Sequence, residues 1–306
     1  MAPLSPNLAG ILPPLTTPFD ERGEVDFNAL VRNLERYNET ALAGYVALGS
    51  NGEAVHLTAA ERRRVIETIR RAAAPGGTVV AGVNALSTRA AIEATRHAAD
   101  AGADAALVVT PYFYKSAMRQ EVLRGFYLEV AAASPLPIVI YNVPQNTGVV
   151  IEPATIAALA GEEKIVGLKD SSGNQGALSE TIRLAPAGFS VLTGSAGILY
   201  PALLMGARGA ILAVACVAPG ALVELYAAVR SGDHERARDL QQRMAPLATL
   251  VTAGLGVAGL KAALEIAGFA GGAPRSPLRK VSGEERARIA AVMRESGLFP
   301  ELAGSG

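Results

Sequence analysis

The sequence predicts a (β/α)8 barrel, a TIM barrel of the α/β class, followed by a C-terminal helical extension. Eight short apolar segments alternate with eight helical patterns over about 230 residues, which is the usual span of such a barrel. The apolar segments are continuously hydrophobic, as is typical of parallel strands that are buried on both faces. A doubly wound sheet would usually carry a glycine-rich loop after its first strand, but Thr16-Thr17-Pro18-Phe19 follows it here.

The predicted elements follow one another in a regular order. The strands cover residues 10–15, 44–48, 78–82, 105–109, 137–141, 165–169, 190–193 and 209–213. The helices between and after them cover residues 26–40, 58–74, 87–101, 118–134, 152–160, 175–184, 198–205 and 219–231. The second helix begins with a capping box, Thr58 with Glu61. Three more helical patterns, at 234–252, 255–267 and 282–296, predict that a barrel domain at 1–233 is followed by a helical extension at 234–306 that packs on it.

The composition excludes several classes of protein. Half of the 306 residues are hydrophobic and 18% are charged, so the chain can bury a large core. Lys and Arg number 28, as do Asp and Glu, and this balance disfavours binding to nucleic acid or to an anionic membrane surface. Two uncharged stretches, 184–207 and 244–260, are interrupted by proline and glycine, unlike a membrane-spanning helix.

Cysteine and histidine are scarce. A single cysteine excludes an intrachain disulfide framework, and three widely separated histidines disfavour a zinc or iron site, although Mg²⁺ held by carboxylates stays open. The first six residues contain neither a charged segment nor a long apolar one. We therefore expect a cytoplasmic protein without a metal cofactor.

Polar residues at the carboxyl ends of the predicted strands form the candidate active site, because barrel enzymes carry their catalytic groups there. Lys169 ends the sixth strand and is one of five lysines, the other four of which lie in polar or helical contexts. Partial burial would lower the pKa of its ammonium, and a Schiff-base nucleophile must be neutral to attack. A salt bridge to Asp170 or Glu53 is the alternative role, and position alone does not separate the two.

Two other features support a catalytic reading. Tyr141 ends the neighbouring fifth strand, at a strand spacing of about 4.8 Å, so its phenol could move protons to and from the amine. The alternative is an aromatic cap over the core. The turn Gly49-Ser50-Asn51-Gly52-Glu53 offers hydroxyl, amide and backbone groups that suit a carboxylate, although it could be a plain turn before the next helix.

Five motifs occur in a fixed order along the chain. They are Gly49-Ser50-Asn51-Gly52-Glu53, Thr110-Pro111-Tyr112, Tyr141-Asn142-Val143-Pro144 with Thr147-Gly148, Gly167-Leu168-Lys169-Asp170-Ser171, and Thr193-Gly194. Together they resemble the dihydrodipicolinate synthase/N-acetylneuraminate lyase family. The resemblance implies a homotetramer, arranged as a dimer of dimers, and pyruvate chemistry through a lysine imine without metal or organic cofactor.

The resemblance also implies roles for individual residues. Lys169 matches the imine-forming lysine, and Tyr141 matches the tyrosine that relays protons and positions the keto acid. Ser50 and Asn51 match the pair that holds the pyruvyl carboxylate. The remaining expected substrate-binding positions are Gly194, Ile211, Ser171 and Asn146.

Two positions depart from the family pattern. Asn146 stands where dihydrodipicolinate synthases have an arginine for the carboxylate of the aldehyde substrate, and a bidentate fork is lost with it. Phe113 stands where the family has a relay tyrosine, so Tyr112 or Tyr114 would have to replace it.

Three functional hypotheses follow. Three motifs are similar to those of the 4-hydroxy-2-oxoglutarate aldolase branch: Gly49-Ser50-Asn51-Gly52-Glu53, Asn146-Thr147-Gly148 and Gly259-Leu260-Lys261. They favour cleavage of a 4-hydroxy-2-oxo acid to pyruvate and an aldehyde such as glyoxylate. The alternative is dihydrodipicolinate synthase, condensing pyruvate with aspartate semialdehyde, with Arg119 or Arg124 in place of the missing cation. A non-catalytic keto-acid binder is the third hypothesis, and Phe113 favours it.

Overall fold

The computed structural model describes residues 6–302 and contains a barrel of eight parallel strands, as predicted. The strands are β1 (Gly10–Leu12), β2 (Gly44–Ala47), β3 (Thr78–Val83), β4 (Ala105–Val109), β5 (Ile138–Asn142), β6 (Ile165–Asp170), β7 (Ser190–Thr193) and β8 (Gly209–Ile211). Residues 1–5, on which the expectation of a cytoplasmic location largely depends, and residues 303–306 lie outside the described part.

Helices follow the strands and surround the barrel. They are α1 (Phe27–Asn38), α2 (Ala59–Ala72), α3 (Thr88–Asp100), α4 (Gln120–Ala133), α5 (Pro144–Thr147), α6 (Pro153–Leu159), α7 (Gln175–Leu184), α8 (Leu199–Leu204) and α9 (Pro219–Ser231). The capping box of α2 forms as predicted: the Glu61 amide donates to the Thr58 hydroxyl, and the Thr58 amide donates to the Glu61 carboxylate.

Backbone hydrogen bonds between β1 and β2 close the barrel. The sheet runs in the order β1-β8-β7-β6-β5-β4-β3-β2, which leaves β1 and β2 at its two edges. The amide of Val46 donates to the carbonyl of Pro13 at 3.0 Å, and the amide of Leu15 donates to the carbonyl of Val46 at 2.9 Å. Proline in the Pro13-Pro14 segment ends the regular part of β1, so the predicted strand 10–15 is shortened to three residues.

The alternation of side chains along the strands divides the core into two parts. One cluster fills the inside of the barrel and includes Leu107, Val139, Tyr141 and Leu192. Ile140 and Leu168 belong to the larger cluster between strands and helices. Because successive strand residues point to opposite faces, Lys169 faces inward, next to Tyr141 and Leu192 in the sheet register.

The C-terminal extension consists of α10 (His234–Thr249), α11 (Gly256–Ile266) and α12 (Gly283–Ser296). The predicted helix 234–252 is interrupted because residues Leu250–Gly254 form a π-helical turn. The extension returns to the barrel, where Asn33 exchanges two 2.8 Å hydrogen bonds with the backbone of Ala270. The division into two domains at residue 233 stays a prediction. Between residues 6 and 302, no helix is both long and apolar enough to cross a membrane.

Candidate active site

Lys169 and Tyr141 lie side by side inside the barrel, at the carboxyl ends of β6 and β5. The two residues are partners in the parallel register, and their side chains are 4% and 5% exposed. The Nζ atom of Lys169 is 4.2 Å from the centroid of the Tyr141 ring. The structure therefore brings the predicted nucleophile and the predicted proton relay together.

Tyr141 interacts with three residues of the site, Ser50, Lys169 and Ser171. Burial alone would raise the pKa of its phenol, but the Lys169 ammonium and hydrogen bonds with Ser50, Lys169 and Ser171 hold the pKa below its ordinary value of 10.0. A phenol with a lowered pKa gives up its proton more readily than a free tyrosine does. The hydroxyl group therefore interacts with side chains of the site rather than only with backbone.

The two carboxylates that could have paired with Lys169 bind other groups. Glu53 forms an ion pair with Lys261, with 2.6 Å between Oε1 and Nζ. Asp170 accepts a 2.7 Å hydrogen bond from Asn142 and two more from the amide and hydroxyl of Ser172. Within residues 6–302, Lys169 takes part in no ion pair, so the salt-bridge alternative for this lysine was wrong.

The turn after β2 is a 3₁₀ turn of residues Ser50–Gly52. Its shape is fixed by a 3.0 Å hydrogen bond from the Gly52 amide to the Gly49 carbonyl and by a 2.7 Å bond from the Thr17 hydroxyl to the Gly52 carbonyl. Ser50 reaches Tyr141, and Asn51 follows it in the same turn. Of the predicted carboxylate-binding pair, Ser50 therefore contacts one of the two central residues, and Asn51 is its neighbour in the turn.

Ser171 and Gly194 lie on the other side of Lys169. A Cβ atom at residue 194 would collide with the Ser171 hydroxyl oxygen and would lie 3.1 Å from Cε of Lys169. The loop after β7 needs glycine here to approach the lysine so closely. Ile211 is buried in the inner cluster with Tyr141, where it forms part of the apolar floor.

Asn146 lies in α5, a four-residue helix that the sequence did not predict. Its side-chain amide donates a 3.4 Å hydrogen bond to the Ser50 hydroxyl. The adjacent Gln145 donates to the backbone carbonyl of Ser171, so α5 spans from the turn after β2 to the end of β6. Asn146 therefore lies beside the site, as the family resemblance implies.

The two candidate relay tyrosines differ in position. Tyr112 is partly buried and lines a cavity of about 240 Å³ with Ser50 and Asn146. Tyr114 and Phe113 are 71% and 70% exposed and pack edge to face against each other. Neither Lys169 nor Tyr141 lines this cavity, so the proposed relay through Tyr112 or Tyr114 stays a prediction.

Comparison with known proteins identifies the family. The model of the dihydrodipicolinate synthetase family matches residues 7–296. The chain belongs to this family. A 4-hydroxy-tetrahydrodipicolinate synthase of Methanothrix thermoacetophila is 39% identical over 285 residues, which cover 93% of this chain and 95% of the relative. An uncharacterized DapA-like lyase of Halobacterium salinarum is 37% identical, over 96% of this chain and 95% of the relative.

Solved structures of family members have the same fold. The chloride-inhibited dihydrodipicolinate synthase of Acinetobacter baumannii, solved in complex with pyruvate, superposes with a TM-score of 0.90 at 33% identity. The match covers 95% of this chain and all of that one. Membership in the dihydrodipicolinate synthetase family makes the chain an enzyme of the lyase class.

Sequence reasoning missed one part of the site. Lys261 was placed among the lysines in polar or helical contexts, but its side chain is only 1% exposed. Burial lowers the pKa of Lys261, while the facing Glu53 carboxylate opposes this effect. The signal was its position in an apolar helix, directly after the uncharged segment 244–260. Within the part of the chain that the structure describes, no three potential metal ligands lie together; independence from a metal or organic cofactor stays a prediction.

Proposed function

We propose that the chain is a class I lyase that binds pyruvate as an imine on Lys169. The observation that carries the proposal is the buried pair of Lys169 and Tyr141 at adjacent strand ends, with 4.2 Å between the amine and the ring. The absence of an ion pair at Lys169 among residues 6–302 supports a nucleophile rather than a structural cation.

The geometry suits each step of imine chemistry. The neutral amine of Lys169 attacks C2 of pyruvate, and the carbinolamine loses its hydroxyl as water after taking up a proton. Tyr141, whose hydroxyl interacts with Lys169, is the residue proposed to deliver that proton and to receive one back. The protonated imine then draws electrons from C3, so loss of a C3 proton gives an enamine that attacks the aldehyde carbon. Hydrolysis of the resulting imine releases the product and restores the Lys169 amine.

Ser50 and Asn51 are proposed to hold the carboxylate of pyruvate. The turn that carries them presents short polar side chains and backbone amides next to Tyr141. A carboxylate fixed there would direct C2 toward Nζ of Lys169, and such orientation can supply a large part of the rate enhancement. Ser171, on the opposite side, would contact the distal part of the substrate.

The relatives favour aspartate semialdehyde as the second substrate. Several bear the name 4-hydroxy-tetrahydrodipicolinate synthase, including those from Methanothrix thermoacetophila and Methanopyrus kandleri. Condensation of pyruvate with this aldehyde was the alternative hypothesis of the sequence analysis, and the comparisons support it better than retro-aldol cleavage. Neither Arg119 nor Arg124 replaces the missing arginine, since both side chains are exposed and neither lines the cavity beside Ser50.

One observation favours the retro-aldol candidate. The cavity beside Ser50 and Asn146 has no charged side chain in its lining among residues 6–302. A carboxylate on the aldehyde, as in aspartate semialdehyde or glyoxylate, would find only neutral donors there, so this lining suits a substrate whose aldehyde half is uncharged. Cleavage of a 4-hydroxy-2-oxo acid is therefore the second candidate function.

A substrate panel tests the proposal. The purified chain is incubated with pyruvate and, in turn, aspartate semialdehyde or glyoxylate, and products are identified by mass spectrometry. A pyruvate-dependent carbon–carbon bond with either aldehyde is the expected result, and the preferred aldehyde separates the two candidates. Pyruvate binding without turnover of any aldehyde would favour the non-catalytic binder.

A homotetramer in the cytoplasm is also proposed. Several exposed apolar side chains are proposed to be covered by a second subunit: Val55 in the lining of the cavity beside Ser50, Phe113 and Tyr114 directly after Tyr112, and Leu86 and Val122 in the lining of a second cavity. Sedimentation equilibrium of the purified chain tests the assembly, and a monomer at micromolar concentration would contradict it.

A further inference from the structure

A buried ion pair joins the C-terminal extension to the barrel next to the active site. Oε1 of Glu53 lies 2.6 Å from Nζ of Lys261, and both side chains are 1% exposed. Lys261 is the sole partner of this oxygen within residues 6–302. Removing two charges from water costs free energy. A buried ion pair therefore either stabilises the fold or fixes a particular conformation of the residues around it.

Oε2 of Glu53 and the ammonium group of Lys261 have further partners. Oε2 of Glu53 accepts a 2.8 Å hydrogen bond from the amide of Arg275 and faces Nδ1 of His56 at 3.2 Å. Lys261 donates to the carbonyl of Ala273 at 2.9 Å, and its ammonium lies 4.4 Å from the centroid of the Phe19 ring. The Glu53 side chain is therefore fixed on both oxygens.

The backbone of Glu53 needs this support. Its φ of 52° and ψ of 36° are in the left-handed region, which a residue with a side chain rarely adopts. Its amide donates a 3.2 Å hydrogen bond to the carbonyl of Ser50 and so ends the turn Ser50–Gly52. Residues persist in such conformations where surrounding contacts hold them, and these positions are frequently functional.

Apart from the neighbouring His56, the side-chain contacts of Glu53 come from the extension. Lys261 belongs to α11, and Arg275 lies in the segment after it. The guanidinium of Arg275 is itself clamped by two hydrogen bonds to Glu61, of 2.6 and 2.9 Å, and by the carbonyls of Gly23 and His56. The extension thus contacts Glu53 and, through it, holds the turn that carries Ser50 and Asn51.

We infer that Glu53 and Lys261 are positioning residues, which fix the turn Ser50–Gly52 in the shape that binds the carboxylate of pyruvate. This inference rests on the proposed function, because it assumes that pyruvate binds at that turn. A role in stability alone would make the pair neutral for pyruvate affinity in any variant that folds. A positioning role makes pyruvate affinity depend on the pair while leaving the amine of Lys169 intact.

The double variant Glu53→Gln with Lys261→Met tests the inference, because it removes both buried charges at nearly constant volume. The matched control is Glu265→Gln with Arg286→Gln, which removes an exposed ion pair between α11 and α12. Each protein is mixed with pyruvate over a range of concentrations, reduced with borohydride, and the covalent adduct is quantified by mass spectrometry.

We expect the double variant to need at least about tenfold more pyruvate for half-maximal trapping. At saturating pyruvate it should reach the same amount of adduct as the wild type, because weaker binding alone does not change the chemical step. The control should match the wild type. A double variant that folds and keeps the wild-type half-saturation overturns the inference. If pyruvate and borohydride give no adduct with the wild-type protein, the proposed function itself is overturned. The two failures are therefore distinct.

A second variant covers the case in which the double variant does not fold, as judged by far-ultraviolet circular dichroism. Glu53→Asp keeps both charges but shortens the side chain by one methylene group, so its carboxylate draws away from Lys261 and from the Arg275 amide. We expect half-saturation to rise by about threefold or more. An unchanged value in the folded Glu53→Asp variant also overturns the inference.

Discussion

Replacement of Gly194 by alanine tests the close packing around the candidate nucleophile. An added Cβ would collide with the Ser171 hydroxyl and lie 3.1 Å from Cε of Lys169, so the Ser171 side chain must move. Its hydrogen bond to Tyr141 is then lost, at a cost of about 1 kcal/mol, and an off-rotamer side chain adds about 1 kcal/mol more. Since about 1.4 kcal/mol corresponds to a tenfold change in rate, the total of about 2 kcal/mol should slow imine formation by about 30-fold.

Gly197→Ala is the matched control for this substitution. Gly197 lies in the same loop, and no atom comes within 4 Å of a Cβ built there. The rate of adduct formation is measured by quenching pyruvate reactions with borohydride at successive times, and thermal unfolding is followed in parallel. Gly194→Ala should lower the melting temperature by a few degrees, and Gly197→Ala should change neither quantity. Equal rates for the two variants would refute the packing described around Lys169.

Three further predictions concern proton transfer, substrate choice and acid stability. Tyr141→Phe should slow imine formation by about 10²-fold or more at unchanged secondary structure, as measured by timed trapping, because the relay hydroxyl is lost; a rate within twofold of wild type would contradict the relay. Asn146→Arg should raise kcat/KM for aspartate semialdehyde by about tenfold relative to acetaldehyde, which has no carboxylate, because a bidentate donor is added beside Ser50; an unchanged ratio would remove Asn146 from substrate selection. The hydrogen bonds from Arg275 lower the pKa of Glu61 from its ordinary 4.5 to about 2, so their stabilisation is complete above about pH 4.5 and is lost as the pH falls toward 2. Urea unfolding between pH 6 and pH 3 should therefore show a smaller loss of stability for Glu61→Gln than for wild type, whereas Glu67→Gln, in the exposed pair on the same helix, should behave as wild type does.

The barrel and its central pair could be predicted because they depend on local patterns. Apolar segments of four to six residues mark the buried strands, and matching strand ends are adjacent in any parallel barrel. Lys169 and Tyr141 therefore meet wherever the eight strands close in order. The four-residue helix α5 could not be predicted in this way, since it is too short to show a hydrophobic period.

The ion pair between Glu53 and Lys261 could not be predicted from the sequence, for a different reason. The two residues are far apart in the sequence, and a lone lysine in an apolar helix gives no indication of which carboxylate it meets. The left-handed backbone of Glu53 is equally hidden, because the turn Gly49-Ser50-Asn51-Gly52-Glu53 offers glycine at neighbouring positions instead. Tertiary packing of the extension, not local propensity, decides both features.

Peptide mapping of the borohydride-reduced pyruvate adduct tests the central claim most directly. The five lysines include two with buried side chains, Lys169 and Lys261, so the site of modification discriminates between them. We predict one pyruvate-derived adduct per chain, on Lys169, and none in Lys169→Met. An adduct on Lys261, or pyruvate-treated wild type in which Lys169 is unmodified, would contradict the account.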